Sequence, residues 1–119
     1  MRDFRELKVW EKAHALTLAI YRITRNFPSD EQFGLTVQLR RAVASIPTNI
    51  AEGCGRGSER ELARFMSIAG GSASEVEYQL RLAWDLNYIG DEMYRKLNQE
   101  TNEIKMMLNS FIHKLIAKS

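Results

Sequence analysis

Apolar residues recur at spacings of four and three through nearly the whole chain, and this pattern constrains the fold more than any other feature. Val9, Ala13, Leu16, Ile20, Ile23 and Phe27 form the first series, and Leu35, Leu39, Ala42, Ile46 and Ile50 the second. Leu62, Phe65, Ala69, Ser72, Val76, Leu80 and Ala83 form the third, and Met93, Leu97, Thr101, Ile104, Leu108, Phe111 and Leu115 the fourth. Each series lays an apolar stripe along an α-helix, as the seam of a bundle does. No segment shows the period of two of a half-buried strand. Four helices with short connections pack as antiparallel neighbours. The sequence therefore predicts an all-α, up-down-up-down four-helix bundle, one domain over residues 1–119.

Local signals set the expected boundaries. Asp3 followed by Glu6 resembles a capping box, which predicts a first helix from about Asp3 to Asn26. Ser29 with Gln32 offers a second box for helix 2, and Ser58 with Glu61 the cleanest one, for helix 3. Gly90 and Asp91 are expected to end helix 3 and cap helix 4. Pro47 lies inside the second apolar series, where it removes an amide donor, so helix 2 should kink there. That helix should end near Gly53, and Gly53, Gly55 and Gly57 permit a tight basic elbow before helix 3. Gly70-Gly71 in the middle of helix 3 marks a close approach, either within the chain or by a neighbouring subunit.

Helices 1 and 2 carry more apolar surface than one seam can bury. This points to a homo-oligomer whose contacts use Leu7, Trp10, His14, Tyr21, Phe33, Val37 and Ala44, unless these residues widen the chain's own core. The far side of helix 4 reads as largely polar and solvent-facing. A single cysteine, Cys54, allows no internal disulfide, and the N-terminal residues lack the apolar block of a signal peptide, so a cytoplasmic location is expected. No apolar run approaches the roughly 18 residues of a membrane span. The net charge of +2 is too small to argue alone for nucleic acid.

The search for chemistry finds no catalytic site. His14 and His113 are isolated, so no metal or other cofactor is expected. Cys54 lacks a paired base, although Arg56 could lower its pKa. The run Gly53 to Ser58 lacks the Gly-Lys-Ser/Thr ending of a phosphate loop. Glu52 is expected to pair with Arg41 or Arg56. Arg40, Arg41, Arg56, Arg60 and Arg64 are expected to crowd the elbow, as a phosphate-binding cluster or as ion-pair partners across subunit contacts.

Three stretches carry a family resemblance: Phe4-Arg5-Glu6-Leu7-Lys8-Val9-Trp10, Phe33-Gly34-Leu35-Thr36 with Gln38-Leu39-Arg40-Arg41-Ala42, and Ser45-Ile46-Pro47-Thr48-Asn49-Ile50-Ala51-Glu52-Gly53. Together with Gly71-Ser72, Glu75, Gln79-Leu80 and Leu86-Asn87-Tyr88-Ile89, they resemble the bacterial four-helix-bundle family of 23S rRNA-intervening sequence proteins over residues 4–90. Asn87 departs from the pattern, where glycine is common. The resemblance implies a cytoplasmic bundle that assembles as a ring, often a pentamer. A more distant similarity, to the accessory protein of diversity-generating retroelements, implies structured RNA or a nucleic-acid enzyme as partner. The expected function is thus a non-enzymatic, homo-oligomeric RNA-binding adaptor, the alternative being a protein–protein interaction module without nucleic-acid binding.

Overall fold

The computed structural model describes residues 2–118, which form four α-helices and two short 3-10 turns. The helices are α1 (Lys8–Thr24), α2 (Leu35–Cys54), α3 (Glu59–Asp85) and α4 (Asp91–Lys118). Each packs against two neighbours, α1 on α2 and α4, and α3 on α2 and α4. The four seams meet in one core. Leu16, Ile20, Leu39, Ile46, Ile50, Leu80, Leu97, Ile104 and Leu108 are almost wholly excluded from solvent. Val43, Met66, Ala73 and Cys54 join them.

Pro47 does not end α2, which runs unbroken from Leu35 to Cys54. Proline cannot donate to the carbonyl four residues back, so the Val43 oxygen loses its helical partner. Thr17 of α1 supplies the substitute. Its hydroxyl lies 2.8 Å from the Ala13 oxygen and 3.2 Å from the Val43 oxygen, sharing its proton between the two. One turn on, Asn49 Nδ2 donates to the Ser45 oxygen and to Ser45 Oγ, which in turn meets Ser72 Oγ of α3 at 2.8 Å.

Several boundaries differ from the sequence expectation. The first helix does not begin at Asp3. The Asp3 carboxylate accepts from the Arg5 amide and Arg5 Nε, closing a 3-10 turn over Phe4–Glu6, and Leu7 is extended before α1 begins. Ser29 caps no α-helix and begins a 3-10 turn. The N-cap position of α2 is Gly34, and the first helical amide, that of Leu35, is met from outside the helix by Glu31 Oε1 at 3.0 Å. Gly34 makes room for it, because a Cβ there would stand 2.7 Å from that oxygen. At the end of α3 the left-handed residue is Asn87 (φ 63°), not Gly90. The Tyr88 amide donates to the Ala83 oxygen and the Asn87 amide to the Trp84 oxygen, a Schellman motif. Asp91 accepts from Trp84 Nε1 at 2.8 Å, and Tyr94 stacks on the same indole. Ser58 does cap α3, accepting from the Glu61 amide at 3.1 Å.

The glycines also differ from expectation. No described glycine has a positive φ, so the elbow turns without left-handed backbone. Gly53 instead permits close packing: a Cβ there would lie 2.9 Å from Phe65 Cβ and 3.1 Å from Leu62 Cδ1. Gly70 and Gly71 meet nothing within 4 Å, so tight packing within the chain is not their role. Met106, 73% exposed, stands among the polar residues on the outer side of α4.

The two loops at one end of the bundle are joined by Tyr88, which donates to Glu31 Oε2 at 2.9 Å and packs its ring against Phe27. The Leu35 amide, with help from the Tyr88 hydroxyl, holds the Glu31 carboxyl below the usual glutamate range.

These contacts make three predictions. Thr17→Val, which keeps the side-chain shape but strips the Val43 oxygen of its donor, should lower unfolding free energy by about 1 kcal/mol in urea titration. Asn87→Ala should destabilise by about 1 kcal/mol, while Asn87→Gly should not, because only glycine and asparagine accept left-handed backbone cheaply. A carboxyl depressed on folding stabilises above its unfolded pKa, and loses that contribution as pH falls through its folded value. Glu31→Gln should therefore melt below wild type at neutral pH, the two midpoints converging on acidification through the carboxylate range.

Candidate nucleic-acid interface

The elbow is built where α2 and α3 close on each other. Gly53 brings α2 against Leu62 and Phe65, and Ser58 starts α3 four residues after Cys54. Between them the Arg56 amide donates to the Gly53 oxygen at 3.1 Å, which turns the Arg56 side chain back over α3. The Arg56 guanidinium then lies 4.9 Å from the Phe65 ring centre, and Arg64 lies 4.6 Å from the same ring. Two cations thus share one aromatic platform.

Each is also held by a carboxylate. Arg56 Nη2 meets Glu52 Oε2 at 3.2 Å, so Arg56 rather than Arg41 is the partner of Glu52. Arg64 grips Glu61 with two contacts, Nε to Oε2 at 3.0 Å and Nη2 to Oε1 at 3.3 Å. Arg64 holds the Glu61 carboxyl below its ordinary range, with Arg56 and Arg60 adding to the field. These pairs are exposed, and exposed pairs hold their partners loosely. Arg60 is exposed in the first turn of α3 and makes no ion pair with another described residue.

The structure divides the five arginines. Arg40 and Arg41 do not crowd the elbow, since about 20 Å of helix separates Arg40 from Gly53 at 1.5 Å per residue. Arg40 faces α1 instead. Its Nε donates to Thr24 Oγ1 at 2.8 Å, its Nη2 donates to the Tyr21 oxygen at 3.2 Å, and its guanidinium stacks on the Tyr21 ring. It therefore serves the C-terminal end of α1, where a cation is favoured. Arg41 is exposed on α2.

Arg2, which the sequence pattern did not single out, is the cation that joins the elbow. Its amide donates to the Cys54 oxygen at 3.0 Å, its Nη2 stands 3.6 Å from Glu59 Oε2, and its guanidinium sits over Phe111 of α4. No periodic signal could reveal this, because Arg2 precedes every helix. Cys54 itself is buried, and burial pushes its thiol pKa up. Arg2, not Arg56, is the side-chain cation that opposes the rise. Among the described residues no three His, Cys, Asp or Glu side chains form a group able to hold a metal ion.

The residues expected at a subunit contact occupy two settings. Leu7 and Trp10 are half-buried against the chain's own core, and Trp10 stacks on the exposed His14 ring. Val37 and Ala44 are half-buried, whereas Tyr21 is exposed and Phe33 is 87% exposed. No described helix is long and apolar enough to cross a membrane.

A solved structure is similar over most of its length. It is the crystal structure, at 1.70 Å resolution, of a protein of unknown function from the S23 ribosomal protein family of Bacteroides thetaiotaomicron VPI-5482. The two chains are 28% identical and superpose with a TM-score of 0.82, covering 88% of this chain and 95% of that one. No curated protein matches the sequence. Residues 5–110 match the family model for the 23S rRNA-intervening sequence protein. With the shared four-helix fold, this match places the chain in the 23S rRNA-intervening sequence protein family.

Proposed function

We propose that the protein is a non-enzymatic, cytoplasmic adaptor that assembles as a homo-oligomeric ring, a pentamer, and binds structured RNA through Arg56, Arg60 and Arg64. One observation carries this reading: two guanidiniums stacked on Phe65, with a third, Arg60, that makes no ion pair with another described residue, at the N-terminus of α3. Guanidinium forks and a helix N-terminus both suit phosphate oxygens. Assembly repeats the cluster around an axis, which multiplies a modest local charge. The family is named for the 23S rRNA intervening sequence, in keeping with an RNA partner. A role without catalysis fits the buried, pKa-raised Cys54 and the isolated histidines. Cleavage of RNA on incubation with magnesium would overturn it.

A second reading has a specific observation in its favour. Arg56 and Arg64 already have carboxylate partners, Glu52 and Glu61, as they would in a protein–protein interaction module that binds no nucleic acid.

Filter binding to a structured RNA at about 50 and 200 mM salt separates the two, because phosphate contacts release counterions and weaken steeply with salt. Binding at the lower concentration should fall sharply at the higher one. Arg60→Ala should lower affinity and flatten the salt slope without changing particle size. Absence of binding at low salt, or loss of the oligomer in Arg60→Ala with no separate binding defect, would favour the interaction module instead.

A further inference from the structure

α3 and α4 leave a groove between them that begins at the arginine cluster. Two adjoining cavities of about 270 and 380 Å³ form it, and Ser67 and Ile112 line both. At the elbow end Arg60 and Arg64 stand at its rim, beside an apolar lining of Ala63, Ile112 and the buried Leu115. Further along α3 the wall is Gly70, where a Cβ would meet nothing within 4 Å. A glycine inside a helix costs about 1 kcal/mol relative to alanine, and no packing within the chain offsets that cost here. What the missing side chain does is keep the groove open. From Arg60 to Gly70 it follows α3 for about 15 Å at 1.5 Å per residue. Beyond Gly70 the Lys105 ammonium of α4 meets Glu77 of α3 at 2.8 Å and bridges the two helices.

The charges along the groove favour an anion. Arg60, Arg64 and Lys105 line it, against one carboxylate, Glu59, which faces Arg2. Arg60 and Arg64 are four residues apart, about 6 Å along the helix, comparable to the step between successive phosphates of a nucleic-acid strand. A duplex would use these arginines alone. Its base faces are stacked on one another, so the apolar lining beside the arginines would stay empty. An unpaired nucleotide offers both parts, phosphates for the guanidiniums and a base with apolar faces and polar edges. Asn109, exposed in the same cavity as Gly70, carries an amide donor and acceptor suited to such an edge.

We propose that the α3–α4 groove takes an unpaired nucleobase whose flanking phosphates lie on Arg60 and Arg64. The inference rests on the RNA-binding reading above and names the class of RNA: one that presents single-stranded nucleotides, in a loop, a bulge or a free end, rather than continuous duplex. The arginines hold the strand at the rim, and the base leaves water for the apolar surface of Ala63, Ile112 and Leu115.

Filter binding at low salt of oligouridylate, and of a blunt RNA duplex with the same number of phosphates, tests this. Wild type should hold the oligouridylate about ten-fold more tightly than the duplex, the effect of one stacked base. Ser67→Leu/Gly70→Leu fills both cavities with residues that favour the helix. That variant should lose the preference while keeping the duplex affinity and the salt slope, with helix content by circular dichroism and particle size by light scattering unchanged. Arg60→Ala should instead weaken both RNAs and flatten the slope. Equal affinity for the two RNAs in wild type overturns the inference, and so does a preference that survives in the filled variant. A change of particle size in the filled variant would mean that the groove holds part of another copy, which also overturns it. In each of these outcomes wild type still binds RNA, and only this inference falls. If wild type holds neither RNA, the RNA-binding reading falls and this one with it.

Discussion

The close approach of α2 and α3 at Gly53 is the contact on which the rest of the elbow depends. With no side chain on Gly53, Leu62 and Phe65 come within the distance that a Cβ would occupy. That approach fixes where α3 can begin, and Ser58 then caps it. It also sets Phe65 at the elbow, directly after Arg64 and within reach of Arg56 from the connection, so that both fold onto the same ring. The basic character of this end is therefore a product of helix packing. The same arginines on a longer connection would be free charges with no common platform.

Much of the fold was legible because it is written in periodicity. The apolar series located four helices and most of the core, though not Val43, Cys54, Met66, Ala73 or Ile89, and Ser58 announced the start of α3. What stayed hidden depends on contacts between segments distant in sequence. Glu31 rather than Ser29 meets the first amide of α2, because Gly34 leaves space for its carboxylate and Tyr88 holds that carboxylate from the other loop. Asn87, not Gly90, took the left-handed position, since the helix end is set by where Tyr88 and Ile89 bury rather than by the nearest glycine. Spacing alone distinguishes neither outcome.

The arginines teach a similar lesson about the candidate site. Arg40 and Arg41 stand near the elbow in the chain, but a rigid helix carries them away from it, and Arg40 is tied to the end of α1. Arg2, more distant in sequence, arrives at the elbow because its backbone is anchored to Cys54. The surplus of apolar surface is likewise not confined to α1 and α2. It extends to Ile68 and Tyr78 on α3 and to Met106 on α4. A helix in a small bundle has a side for its own core and another for whatever comes next.

The pairing of Thr17 with the carbonyl released by Pro47 has a wider consequence. Helices packed through repeating apolar seams are degenerate, because a shift by one turn puts similar side chains into similar holes. A single polar contact at a defined height removes that degeneracy. If α1 slid along α2 by one turn, the Val43 oxygen would lose the Thr17 hydroxyl and a methyl or a ring would take its place. The proline thus acts as a key cut into one helix, and the threonine as the ward that accepts it, so that only one alignment of the two rods is free of penalty.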